Sequence, residues 1–213
     1  MKILSAFFVI LTLAACASPE PPIRPIAMNF EDLPSINLNT RDLQIIDRSR
    51  FTPQNLPYIS HMFTPTVNAT LHKIVNTRLH ARGQAGHAAF IIKEAYIRQD
   101  PLPIEDKLFT REQAIKYTGH IEVELEAQSP AYVGMAKTTV LAEHHVTLPE
   151  DPTEYEKHEA YRKLLSALMT HLNQNLDQGI KEHMSNFLFD PSPQAPLVLP
   201  AIAPTTDSTL SYE

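Results

Sequence analysis

The chain has 213 residues, 18 Lys and Arg against 24 Asp and Glu, and a formal net charge of −6. That mildly acidic balance leaves no basic footprint for nucleic acid or for anionic lipid headgroups. With 5 Gly, 18 Pro and a single cysteine, Cys16, the chain holds no internal disulfide and any fold must stand on its packing.

The first element is an apolar run, Ile3 to Leu13, preceded by Lys2 and followed by the small pair Ala14 and Ala15. A positive start, roughly 7–15 apolar residues and a small-residue site describe a secretory signal peptide. The run is too short for a bilayer core, which takes about 20 residues. Five prolines lie between Pro19 and Pro34 and five more between Pro191 and Pro204, so both ends are proline-rich. The expected division is a signal peptide over 1–15, a Pro-rich spacer over 16–34, a domain over 35–189 and a disordered Pro-rich tail over 190–213. Removing 1–15 leaves 198 residues, enough for one domain with a real core, and moves the charge from −6 to −7. Within the tail, "PLVLPAIAP" is apolar enough to dock on a partner or on the domain.

Inside the domain, "INLNTRDLQIID" (Ile36 to Asp47) reads as extended, with a phase shift that predicts a break near Arg41. Thr64-Pro65 reads as an N-cap and first-turn proline. Val67, Leu71, Ile74, Val75 and Leu79 follow at helical spacing, with an end expected near Arg82-Gly83. "HAAFIIKEAYI" (His87 to Ile97) is strand-like. "TREQ" (Thr110 to Gln113) has capping-box form and predicts a short helical turn. "HIEVELEAQ" (His120 to Gln128) alternates, with Ile121, Val123, Leu125 and Ala127 on one side and His120, Glu122, Glu124 and Glu126 on the other. "AKTTVLAEHHVTL" (Ala136 to Leu148) alternates again, with Ala136, Val140, Ala142 and Val146 on one face. From Asp151-Pro152 a long helix to about Leu188 carries Tyr161, Leu164, Leu165, Leu168, Leu172, Leu176, Ile180 and Phe187 on one stripe.

Strand, helix, three strands and long helix predict an α+β two-layer sandwich. Its sheet is mainly antiparallel, with both helices on the apolar face.

Ten histidines raise the question of metal. His144 and His145 are adjacent on a strand and point to opposite faces. His120, Glu122, Glu124 and Glu126 share a face, but about 6.6 Å separates successive members. His158, His171 and His183 lie roughly 18–20 Å apart along a helix axis. No HExxH or paired CxxC spacing occurs, so no metal centre is expected. No GxSxG stands in the chain, and "ARGQAGH" (Ala81 to His87) ends a helix and leads into a strand, the reverse of a phosphate cradle. Ser60-His61 is the remaining Ser–His adjacency, in the loop before the first helix. The residues therefore imply no cofactor and no catalytic group.

Leu13-Ala14-Ala15-Cys16 resembles the lipobox of bacterial lipoproteins. The resemblance implies cleavage between Ala15 and Cys16, a diacylglycerol (palmitate-type) anchor on the Cys16 thiol and acylation of the freed amine. An ordinary signal peptide with a chance cysteine is the alternative. Ala17 in place of an aspartate implies, by the enteric sorting rule, the outer membrane facing the periplasm, with the inner membrane as the other option. Two or more acyl chains anchor a protein stably.

The order of elements behind that cysteine resembles small periplasmic lipoproteins that assist envelope lipid transport. These include the lipopolysaccharide-assembly lipoprotein and the auxiliary lipoproteins of ABC-type lipid transporters. Phe90 to Ile92, Tyr117 with Glu122, Glu124 and Glu126, and Leu168-Met169 with Leu172 also resemble an uncharacterised lipoprotein family. The expected function is a non-enzymatic accessory or scaffolding role in an envelope complex, with a protein partner. Its contact surfaces would be the polar sheet face, the strand edges and the tail. Two further readings stand beside it: a binding protein for a small amphiphile held between sheet and long helix, and a periplasmic hydrolase.

Overall fold

The computed structural model describes residues 21–49, 53–103, 111–130 and 134–189. Its elements are β1 (Ile36–Leu38), β2 (Asp42–Asp47), α1 (Val67–Arg78), β3 (Leu79–Ala81), β4 (His87–Pro101), β5 (Gln113–Gln128), β6 (Met135–Pro149) and α2 (Glu154–His183). The main sheet has the order β2-β4-β5-β6, and β1 pairs with β3 in a small second sheet. β4, β5 and β6 run antiparallel, while β2 joins β4 in parallel across the α1 crossover. This is the expected α+β two-layer sandwich.

The apolar half of each alternating strand makes the inner face. Phe90, Ile92, Ile121, Val123, Leu125, Val140 and Ala142 are all buried there. Against them lies the α2 stripe, with Tyr161, Leu164, Leu165 and Leu168 fully covered. Covering a Leu side chain in this way stabilises by about 1.5–3 kcal/mol. At the centre of β5, Gly119 leaves room for α2 to approach, because a Cβ there would collide with Leu168. The α2 ridge therefore reaches the backbone of the sheet instead of resting on its side chains.

The break near Arg41 separates β1 from β2, which join different sheets. Three local expectations differ from the structure. The α1 cap is Thr66, whose hydroxyl accepts from the Ala69 amide at 3.2 Å, rather than Thr64-Pro65. The helix also stops at Arg78, not near Gly83, because Leu79 is extended and pairs with Ile36. Leu79 is buried either way, so its helical spacing concealed the change. Third, Gln113 opens β5 by pairing with Pro149 in place of a helical turn, while Thr110 lies outside the described residues.

Arg111 bonds instead to the start of α2, through Glu156 at 2.7 and 2.8 Å and the Glu150 and Asp151 carbonyls. Thr153 and Glu156 form a reciprocal capping box at that start, one residue past Pro152. The Arg111 guanidinium and the Thr153 amide hold the Glu156 carboxyl at a pKa of about 2. α2 ends at His183, after which a 3-10 turn, Ser185–Phe187, completes the buried stripe.

Within the stretch expected as spacer, Ile26 and Phe30 are buried in the core, so packing begins before residue 35. Lys73 Nζ donates to the Met28 carbonyl at 2.6 Å, and Arg78 Nε donates to the Pro34 carbonyl at 3.0 Å. Arg78 is 1% exposed and also bonds Asn173 and Asp177, the latter at 2.8 Å. One buried guanidinium thus ties the N-terminal arm, α1 and α2 together.

Candidate functional site

The outer face of the sheet carries the other half of the alternation. His120, Glu122, Glu124 and Glu126 line β5, as their spacing predicts. Register places Tyr96 and Glu94 of β4 on one side of them, and Glu143, Leu141 and Thr139 of β6 on the other. His120 is the centre of this face. Its Nδ1 lies 2.8 Å from Glu143 Oε1, and its Nε2 approaches Glu94 Oε2 at 3.4 Å without hydrogen-bond geometry. Tyr96 stacks on the imidazole at 5.0 Å, and Tyr58 meets Tyr96 edge-on at 5.4 Å.

The glutamates are paired across strands. Lys93 Nζ sits 2.5 Å from Glu122, and Lys137 lies 3.5 Å from Glu124, which also accepts from Thr139 at 3.1 Å. Burial pulls the Glu124 pKa upward, but the Thr139 hydroxyl, Glu126 and Lys137 more than offset it and leave the carboxyl lowered. Met135 and Leu141 add exposed apolar surface on β6. The face therefore carries patterned charges around two exposed apolar side chains.

Sequence spacing did not reveal Tyr96 and Glu94 as members of this face. A register shift at Lys93 separates Ala88, Phe90 and Ile92 from Ala95 and Ile97, and moves both residues outward. The phase change between those two apolar sets is the signal that could have found them.

His144 and His145 point to opposite sides of β6, as their adjacency predicts, and one further contact joins them to α2. His144 faces inward and meets His171 of α2 edge-on at 5.5 Å, an encounter that spacing within α2 alone could not show. His145 is 6.2 Å from His144. Burial lowers the His144 pKa, and the proximity of two further imidazoles, on His171 and His145, lowers it further. Among the described residues no group of three His, Cys, Asp or Glu side chains converges on a metal position.

The β6 edge is guarded by α2. Asn175 donates to the Leu141 carbonyl at 2.8 Å, and His171 Nδ1 lies 3.3 Å from the Glu143 carbonyl. Of the contact surfaces expected from sequence, this edge is therefore partly occupied by the protein itself. Ser60 and His61 line a 250 Å³ surface cavity with Ser49, Asn68 and Thr66. The Ser60 hydroxyl accepts the Ile97 amide at 2.7 Å, which makes it a bridge from the loop to β4. Beneath it, burial alone would raise the Asp47 pKa, but bonds from Ser49 and Asn68 hold it lowered. The space between sheet and α2, where the alternative reading would place an amphiphile, is filled by Leu164, Leu168, Tyr161 and the Phe63 ring stacked on Tyr161 at 4.2 Å.

Ala15, Cys16 and the tail from 190 lie outside the described residues. No helix among the described residues is long and apolar enough to cross a membrane.

The chain matches no family model and no curated protein sequence. Among solved structures it is similar to the rare lipoprotein B from Shewanella oneidensis, with 9% identity, 67% of this chain and 96% of that chain covered, and a TM-score of 0.35. It is similar to an uncharacterized lipoprotein B from Nitrosomonas europaea, with 14% identity, 73% and 97% coverage and a TM-score of 0.38. A minor lipoprotein from Acinetobacter baumannii gives 11% identity, 72% and 99% coverage and a TM-score of 0.36. Scores below 0.5 assign neither fold nor function to this chain.

Proposed function

We propose that the protein is a bacterial lipoprotein, anchored through Cys16, that serves as a non-enzymatic accessory in a cell-envelope complex for lipid transport or outer-membrane assembly. The observation that carries this reading is the register of Lys2, the apolar run, Ala14-Ala15 and Cys16. It faces the periplasm from the outer membrane, following Ala17. The partner is a protein, docked on the outer sheet face around His120, Glu94 and Glu143, where charge is patterned and two apolar side chains are exposed. The closely filled space between sheet and helix supports an interaction role over that of a small-ligand carrier.

Cys16→Ser tests the anchor: the protein moves from the membrane to the soluble fraction and loses palmitate labelling, and unchanged attachment would sink the reading. Photo-crosslinking from Leu141 or Met135 in intact envelopes tests the surface. Specific adducts are expected there, and adducts confined to positions on the exposed side of α2 would contradict the docking face.

A further inference from the structure

The last described residues leave the domain along a groove. Residues 187–189 add an antiparallel segment to β1: Leu38 bridges Leu188, Asn39 donates to the Phe187 carbonyl at 2.7 Å, and Phe189 donates to the Asn37 carbonyl at 2.8 Å. The chain therefore advances from Leu38 toward Ile36. There it enters a 360 Å³ groove lined by Ile36, Ile180, Lys181, Ser185, Leu188 and Phe189. Leu188 and Phe189 are each 37% exposed at its mouth.

Twenty-four more residues, 190–213, extend beyond this point. Pro191, two residues further on, has no amide hydrogen to donate to a strand ladder. Past a linker of six residues, 190–195, comes the apolar stretch "PLVLPAIAP", residues 196–204. Six extended residues reach about 20 Å. A short flexible connection holds such a segment near the groove at an effective concentration in the millimolar range.

We propose that residues 196–204 of the same chain fold back and cover this groove, with Leu197, Val198 and Leu199 set against Ile36, Ile180 and Leu188. The tail is then a cover for the end of α2 and for the β1 edge. The proposal is independent of the lipid anchor, since it depends only on where the chain leaves the domain and on the apolar character of residues 196–204.

Amide hydrogen exchange on the full mature chain tests it, comparing the wild type with the double variant Leu197→Asp/Leu199→Asp. Neither substitution touches a residue of the described core, and an unchanged far-ultraviolet spectrum of the variant checks that the domain stays folded. Amides of 35–37 and 184–189 are expected to exchange about tenfold faster in the variant, at a rate independent of protein concentration. Equal exchange in the two proteins would overturn the proposal. Protection that rises with protein concentration would overturn it too, because the occupant would then be the tail of a second copy.

Discussion

β5 carries two proteins' worth of chemistry on alternate residues. Its inner side, Tyr117, Ile121, Val123 and Leu125, is at most 2% exposed and touches only the core. Its outer side, His120, Glu122 and Glu124, is held by cross-strand pairs with Lys93, Lys137 and Glu143. The backbone and its hydrogen bonds are the same for both sides. The difference lies in what each side requires of its neighbours. The inner set needs shape, down to the missing Cβ at Gly119, whereas the outer set needs charge partners and tolerates exchange. Stability therefore lives on one face, leaving the other available to the partner proposed above.

The largest effects are expected in the packed interior, first at a charge buried at the end of α1. Arg78→Ala removes the buried guanidinium that holds Pro34, Asn173 and Asp177, and the lost hydrogen bonds and packing are expected to cost about 2–4 kcal/mol, read as the midpoint of denaturant unfolding. Leu168→Ala opens a cavity over Gly119 and is expected to cost about 3 kcal/mol in the same measurement. A loss under about 1 kcal/mol for either would mean that the inner side is not the source of stability.

The seam between α2 and β6 gives an intermediate effect with a pH signature. The His144 pKa is lowered in the folded protein by burial and then by His171 and His145, so the unfolded chain binds its proton more readily. The associated stability is present above the ordinary histidine pKa of about 6.5 and is lost as pH falls through it. His144→Gln should flatten the stability profile between about pH 7 and pH 5. An unaltered slope would contradict the seam's role. The outer face should give the smallest change. Glu122→Gln breaks only the partly exposed Lys93 pair and is expected to shift stability by less than about 1 kcal/mol, while altering crosslinking to a partner.

Much of this architecture could be read in the residues alone, and for a physical reason. Alternation in 120–128 and the stripe from Tyr161 to Ile180 are repeated many times over, so single exceptions do not disturb them. What could not be read rests on single residues or on distant partners. Thr66 and Thr64 are both suited to capping, and only the backbone decides between them. Leu79 satisfies a helix and a strand equally. Arg78 looks like any charged helix residue until Asn173 and Asp177, nearly a hundred residues away, close around it. The outer face was legible along β5 alone, because the bulge at Lys93 shifted the phase that would have brought Tyr96 and Glu94 into view.

The proposed place in the envelope rests on the proposed anchor at Cys16, and mass spectrometry of the N-terminal peptide of the mature protein decides it. The expected peptide begins at Cys16, bears diacylglycerol on its thiol and is acylated on its amine. A mature chain that begins elsewhere, or that carries Cys16 as a free thiol, would contradict the lipoprotein reading.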